Sequence, residues 1–356
     1  MKNVALQKAA IYIVGAGAQT PVGRSVLATS ASVRCGISAH AEHPFMIDKH
    51  GAPMIVARAQ WLNKALPLED RIATLAADAA REALLPLAKL GLAQRPNIGV
   101  HLALSTENLP DVSQRRRVLD NFAAGAGLAH MGAEVELVAD GHAGGFLALQ
   151  TACGKLRHGE AQFCLVGSAD SWLDPELLEA IDLAGRLHSV NSIWGFTPSE
   201  AAGFCLITTG AAALRLGLDP LAELLAVATA QETKLMGTQT VCIGEGLTTA
   251  FRGVLDPQHR VSHSYCDLNG ETYRADEYGF TVCRTSDCFE DASSFTAAAT
   301  CWGDVGAASG PLALTLPVAA WARGYAKGPI NLTWGSSANT PLRAAALLKG
   351  FPAQGN

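Results

Sequence analysis

Short apolar runs of strand length alternate along this chain with Ala- and Leu-rich stretches of helical length. That alternation restricts the fold more than any other feature. Ala10–Val14 (AIYIV), Asn97–Leu104 (NIGVHLAL), Glu134–Ala139, Phe163–Val166 and Phe204–Thr208 read as strands of a first part, and residues 259–266 and 330–334 as strands of a second. Asp70–Leu90 reads as a helix with Glu69 and Asp70 at its entry, where negative charge suits the helix dipole. His142–Arg157 reads as another, with small residues at its start and Arg157-His158-Gly159 at its stop. Strands interleaved with helices imply an α/β fold with a parallel or mixed sheet. Gly15-Ala16-Gly17 follows the first strand, but Thr20 stands where a dinucleotide-binding turn needs its third glycine, so the segment reads as a strand-to-helix turn without that fingerprint.

Composition excludes several classes. Of 356 residues, 49% are apolar and 17% charged, against about 25% charged in an average soluble protein, so the interior is large relative to the surface. The net charge of −5 and a single short basic cluster, Arg115-Arg116-Arg117, argue against a nucleic-acid partner. The apolar run Pro311–Ala322 is too short to span a bilayer, and the N-terminus shows no signal-peptide pattern. Nine cysteines, an odd number without a CxxC pair or zinc-ligand spacing, read as reduced, buried thiols of a cytoplasmic protein with no metal and no cofactor.

Several segments, taken in order, resemble the β-ketoacyl synthases of the thiolase-like superfamily. Val14-Gly15-Ala16-Gly17-Ala18-Gln19-Thr20-Pro21-Val22-Gly23 is similar to that family's first strand and TPxG turn, and Arg34-Cys35-Gly36-Ile37-Ser38 to its aGxSgI segment. The helix from His142 resembles the nucleophile helix, and Leu165-Val166-Gly167-Ser168-Ala169-Asp170 the strand that follows it. Gly195-Phe196-Thr197-Pro198-Ser199-Glu200-Ala201-Ala202-Gly203 resembles GFvlgEGAG, and Gly303-Asp304-Val305-Gly306-Ala307-Ala308 resembles GHxxGAAG. The resemblance implies a thiolase fold: two pseudo-equivalent α/β halves, 1–210 and 211–356, each with a mixed five-stranded sheet, in a five-layered αβαβα sandwich. It also implies a dimer, with the strand around 163–166 extending the sheet across a two-fold axis.

The family's chemistry needs a cysteine at the helix start to hold the acyl chain, and two histidines to stabilise the charge that develops during decarboxylation and condensation. Carried across residue by residue, the cysteine position holds His142, the first histidine position Asn269, the second Asp304, and a supporting lysine position Ala299. Of the supporting groups, Glu200 has a counterpart. His142 cannot form a stable thioester. Asn269 retains one donor for an oxyanion, whereas an ionised Asp304 would repel one. The resemblance therefore implies a non-condensing protein that acts as a binding partner, scaffold or adaptor, either as a homodimer or as a heterodimer with a related subunit in the manner of chain-length factors. An acyl carrier protein or an effector protein is the further partner, since degenerate ketosynthase-like proteins also occur beside bacterial type VI secretion effectors. The alternative is an acyltransferase or thioester hydrolase in which His142 acts as base, with His142–Asn269–Asp304 as a base-orienting set. Cys153, Cys266 and Cys301 read as packed core thiols, and His259 and His263 as surface or capping residues.

Overall fold

The computed structural model describes residues 7–90, 96–236, 238 and 240–351. In the first half, β1 (Ile11–Gln19) leads through a Thr20–Gly23 turn to α1 (Val26–Arg34) and a hairpin of β2 (His40–Ile47) and β3 (Pro53–Ala57). Then come α2 (Leu68–Ala88), β4 (Ile98–Leu104), α3 (Val112–Gly125), β5 (Val135–Ala139), α4 (Gly144–His158), β6 (Phe163–Ser171), α5 (Pro175–Leu183) and β7 (Glu200–Thr209). After α6 (Gly210–Leu216) the second half runs β8 (Ala222–Gln231), α7 (Glu245–Arg252), β9 (His263–Cys266), α8 (Thr272–Cys283), β10 (Phe295–Ala297), α9 (Ala299–Trp302), α10 (Ser309–Ala322), β11 (Ile330–Ser336) and β12 (Leu342–Gly350).

The strand pairing repeats itself. In the order β1-β7-β6-β4-β5 the successive pairings are antiparallel, antiparallel, parallel, parallel. In the order β8-β12-β11-β9-β10 they follow the same sequence. A short antiparallel pairing of Ile11–Ile13 with Ala222–Leu224 joins the two sets into one ten-stranded sheet. Each set is therefore a mixed five-stranded sheet of one topology. α2 packs outside the first set, and α7 outside the second. α4 and α10 lie between them, where Phe146, Leu149, Leu314 and Val318 share one core. These layers form the αβαβα sandwich. α10 is buried on all sides from Gly310 to Trp321, which explains an apolar run with no polar face.

Two expectations need correction. Gly15 and Gly17 lie inside β1, beside a bulge, and not in a turn. A Cβ on Gly17 would sit 1.9 Å from the Ala79 carbonyl oxygen, and one on Gly15 2.0 Å from that of Ala83. The glycines are there because α2 lies directly on the strand. The strand around 163–166 also cannot extend the sheet, because β6 is hydrogen-bonded to β4 on one side and β7 on the other. The edge of the first set is β5.

Candidate functional site

The site is assembled at the ends of three chain segments. His142 sits immediately before α4, after β5 has ended at Ala139. Asn269 lies in the loop that follows β9, and Asp304 follows α9 at a turn where Gly303 adopts φ +81°. His142 and Asp304, 162 residues apart, are both buried and in direct contact: His142 Nε2 lies 2.9 Å from Asp304 Oδ1 and 3.0 Å from Oδ2. Asn269 Nδ2 donates to Asp304 Oδ2 at 2.6 Å. The structure thus brings His142, Asn269 and Asp304 together.

Two further donors complete the shell around Asp304. Trp172 Nε1 donates to Oδ1 at 3.2 Å, and the Gly306 N–H donates to the same oxygen at 2.7 Å. Burial alone would raise the Asp304 carboxyl. The His142 imidazole, the nearby Arg274 guanidinium and the Asn269 amide outweigh burial and hold it below the ordinary carboxylate range. An ionised carboxylate only accepts hydrogen bonds, so His142 Nε2 must carry its proton and donate. The Asn269 amide is equally committed: Nδ2 also donates to Glu271 Oε2 at 3.0 Å, and Oδ1 accepts from the Glu271 N–H. The oxyanion donor expected of Asn269 is therefore already used within the cluster.

The backbone at the start of α4 is occupied too. The Ala143 N–H donates to Ser337 Oγ at 3.1 Å, and Ser337 Oγ in turn donates to Asp140 Oδ1. The cavity that touches Asn269 and Asp304 has a volume of about 10 Å³, space for one water at most.

Glu200 lies apart from this cluster. Its carboxylate, fully buried, accepts from Arg71 Nε at 2.9 Å, from the Ala59 N–H at 3.0 Å and from Ser171 Oγ, and it pairs with Arg71 Nη2 at 2.5 Å. These partners tie β7 to α2 and to the strand-to-helix connection after β3. Ala299 begins α9 and contributes a carbonyl, not a cation, to its surroundings. Cys153 is buried in the central core, with its thiol pushed up to about 12 by burial; Cys266 is buried and likewise shifted upward. All nine cysteines are free thiols, and none adjoins His142 through a hydrogen bond among the described residues. His259 forms a surface pair with Asp256, as its position suggests, but His263 is buried in β9, contrary to expectation.

Sequence reasoning missed Trp172, Asp170 and Arg274. Asp170 accepts from the Ala307 N–H, Asn108 Nδ2 and the Ser171 N–H, and so fixes the turn behind Asp304; burial pushes its carboxyl up to about 6 against those donors. Arg274 reaches from α8 to Asp267 Oδ2 at 2.6 Å and the Ser336 carbonyl at 2.7 Å. Asp170 closes the strand motif quoted above without any sign of its role, and nothing local marks Trp172 or Arg274, whose partners lie on other elements.

The model of the β-ketoacyl synthase N-terminal domain matches residues 128–216, the segment that contains β5, α4, β6 and β7. No curated protein matches the chain in sequence. Among solved structures, it is similar to a chain of the complex of a type II PKS acyl-carrier protein with its ketosynthase bound to the hexaketide, at 14% identity and a TM-score of 0.75, covering 97% of this chain and 100% of that one. The ishigamide ketosynthase/chain length factor matches at 20% identity and 0.72, over 96% of this chain and 99% of the other. A β-ketoacyl synthase from Burkholderia phymatum matches at 13% and 0.73, over 96% and 99%. The chain has the thiolase fold of the ketosynthases. Within that fold the His142 cluster stands at the mouth of the helix that the matched domain supplies.

Proposed function

We propose that this chain is a ketosynthase-like protein that does not condense acyl groups and acts instead by binding. One observation carries the reading: the Asp304 carboxylate is saturated by His142, Asn269, Trp172 and the Gly306 N–H. The groups at the three catalytic positions satisfy each other, leaving neither a nucleophile nor an open oxyanion donor for a thioester. The cavity of about 10 Å³ supports this further, because a pantetheine arm needs a channel. The same facts disfavour an acyltransferase or hydrolase based on His142: its Nε2 proton is held by Asp304, and the cavity at Asp304 has room for about one water.

In this reading the chain is a scaffold or adaptor in the cytoplasm that serves a biosynthetic or secretion cluster, paired with a second copy or with a related ketosynthase subunit. The open edge of β5 supports such pairing, because its free N–H and C=O groups suit one antiparallel pairing with the β5 of a second chain across a two-fold axis. A groove of about 340 Å³ beside the β2–β3 hairpin, bordered by His43, Arg58, Lys64 and Arg71 with Asp174 as its acid, supports an acidic partner such as a carrier protein. The test is incubation with malonyl and acyl thioesters of coenzyme A and of a carrier protein, for the wild type and His142→Ala. Equal, background-level thioester loss is the expected result. Turnover that His142→Ala abolishes would overturn the reading.

A further inference from the structure

A second cavity, of about 330 Å³, lies against the outer side of α10 and the middle of β9. Its charged lining is cationic. Arg34, at the end of α1, and Lys327, in the turn before β11, both border it, and no carboxylate does. Neither cation forms an ion pair among the described residues. The Arg34 guanidinium stacks over the Tyr325 ring at 4.4 Å, an arrangement that fixes its plane and leaves its N–H edge for a ligand. Asp291 lies within electrostatic reach of Lys327 but outside the lining, and Arg323 adds positive charge near Tyr325.

The rest of the lining is apolar or hydroxylic. Val33, Leu316 and the buried Tyr265 ring give it an apolar wall. His263 forms part of its floor as a fixed polar group, not a third cation. Its Nδ1 is 2.9 Å from Ser294 Oγ and its Nε2 2.8 Å from Thr296 Oγ1, its ring meets Tyr265 edge-on, and burial together with Lys327 pushes its pKa down to about 4. The Ser30 hydroxyl is buried beside Tyr325, whose phenol it adjoins.

We propose that this cavity binds a small organic phosphate monoester. Its dianion neutralises Arg34 and Lys327 and accepts from the Tyr325 hydroxyl, while a compact apolar body rests on Val33, Leu316 and Tyr265. Tyr265 and Leu316 also line the small cavity at Asp304, so an occupant here would press on the wall of the His142 cluster from behind. Binding does not depend on whether that cluster is catalytic.

The test is isothermal titration of the full chain with phenyl phosphate, with inorganic phosphate and benzyl alcohol as controls for the anion and the apolar body alone. Phenyl phosphate is expected to bind more tightly than either control. Arg34→Ala and Lys327→Ala should each weaken it at least about tenfold, the scale of one charge-assisted hydrogen bond, with Arg34→Lys intermediate. Both cations are exposed, so these variants should keep the wild-type melting temperature. Phenyl phosphate that binds no better than inorganic phosphate, or equally well to both alanine variants, would overturn the proposal.

Discussion

At the residue scale, the decisive fact is that the buried Asp304 carboxylate accepts from four donors, His142, Asn269, Trp172 and the Gly306 N–H. A buried carboxylate is tolerable only when its lone pairs are filled. Asp304→Ala would leave the donors of His142, Asn269 and Trp172 without their acceptor, and we expect a loss of about 3–5 kcal/mol in urea unfolding. His142→Ala removes one donor of four and should cost less, about 1–3 kcal/mol. Because the two side chains share one contact, the double variant should lose less than the sum; additive losses would contradict the pairing. Asp170 sets a pH dependence of opposite sign to Asp304. Its carboxyl is raised from 3.8 to about 6, so the folded chain holds that proton more tightly than the unfolded one. Its contribution is full below the unfolded pKa and is lost as pH rises through about 6. The Asp304 contribution, from a depressed pKa, is present above the unfolded value and lost as the medium becomes more acid than that. The stability difference between wild type and Asp170→Asn should therefore change between about pH 4 and 7. A difference constant over that range would contradict the shift. None of this network was legible locally. The positions of His142, Asn269 and Asp304 came from motif order, whereas their mutual contact depends on loops up to 162 residues apart.

At the element scale, the sequence marks those elements whose surroundings are simple. α2 presents an Ala-rich face, Ala76, Ala79, Ala80 and Ala83, to the sheet and a polar face to solvent, so its period is plain and the expected span of 70–90 lies about two residues from the observed Leu68–Ala88. β12 carries no strand signal in the sequence. Its LRAAALLKG is made of good helix formers, and it is a strand because β8 and β11 hydrogen-bond to it on both sides. Gly15 and Gly17 misled by composition, because glycine signals a turn as readily as a close approach. The structure predicts the consequence of that approach. Gly17→Ala places a methyl against the Ala79 carbonyl and Ala83 amide, both backbone, so α2 must shift away from β1. The expected cost is about 3 kcal/mol, read from the urea midpoint. A change within about 0.5 kcal/mol would mean that α2 does not lie directly on β1.

At the scale of the whole molecule, the repeated topology explains why the length and low charge of the chain go together. Two five-stranded sets cover each other through α4 and α10, so most strand residues are enclosed on both faces and little charge is needed. The duplication was legible from the family resemblance, but the sheet edge was not: β6 is interior, and β5 is the strand left open. Light scattering should give twice the chain mass, and Leu137→Arg, a change at a partly exposed position of β5, should return the monomer mass without loss of folding. A monomeric wild type, or a dimer indifferent to the substitution, would contradict pairing through this edge. The central claim, that the cluster at the mouth of α4 is closed to chemistry, is tested most directly by carbon dioxide release from a malonyl thioester. Decarboxylation builds an enolate, and an enolate beside the ionised Asp304 would be repelled where a ketosynthase stabilises it. The account predicts release at the rate of the protein-free control, unchanged in His142→Ala and Asn269→Ala. Release above that control, and lost in either variant, would contradict it.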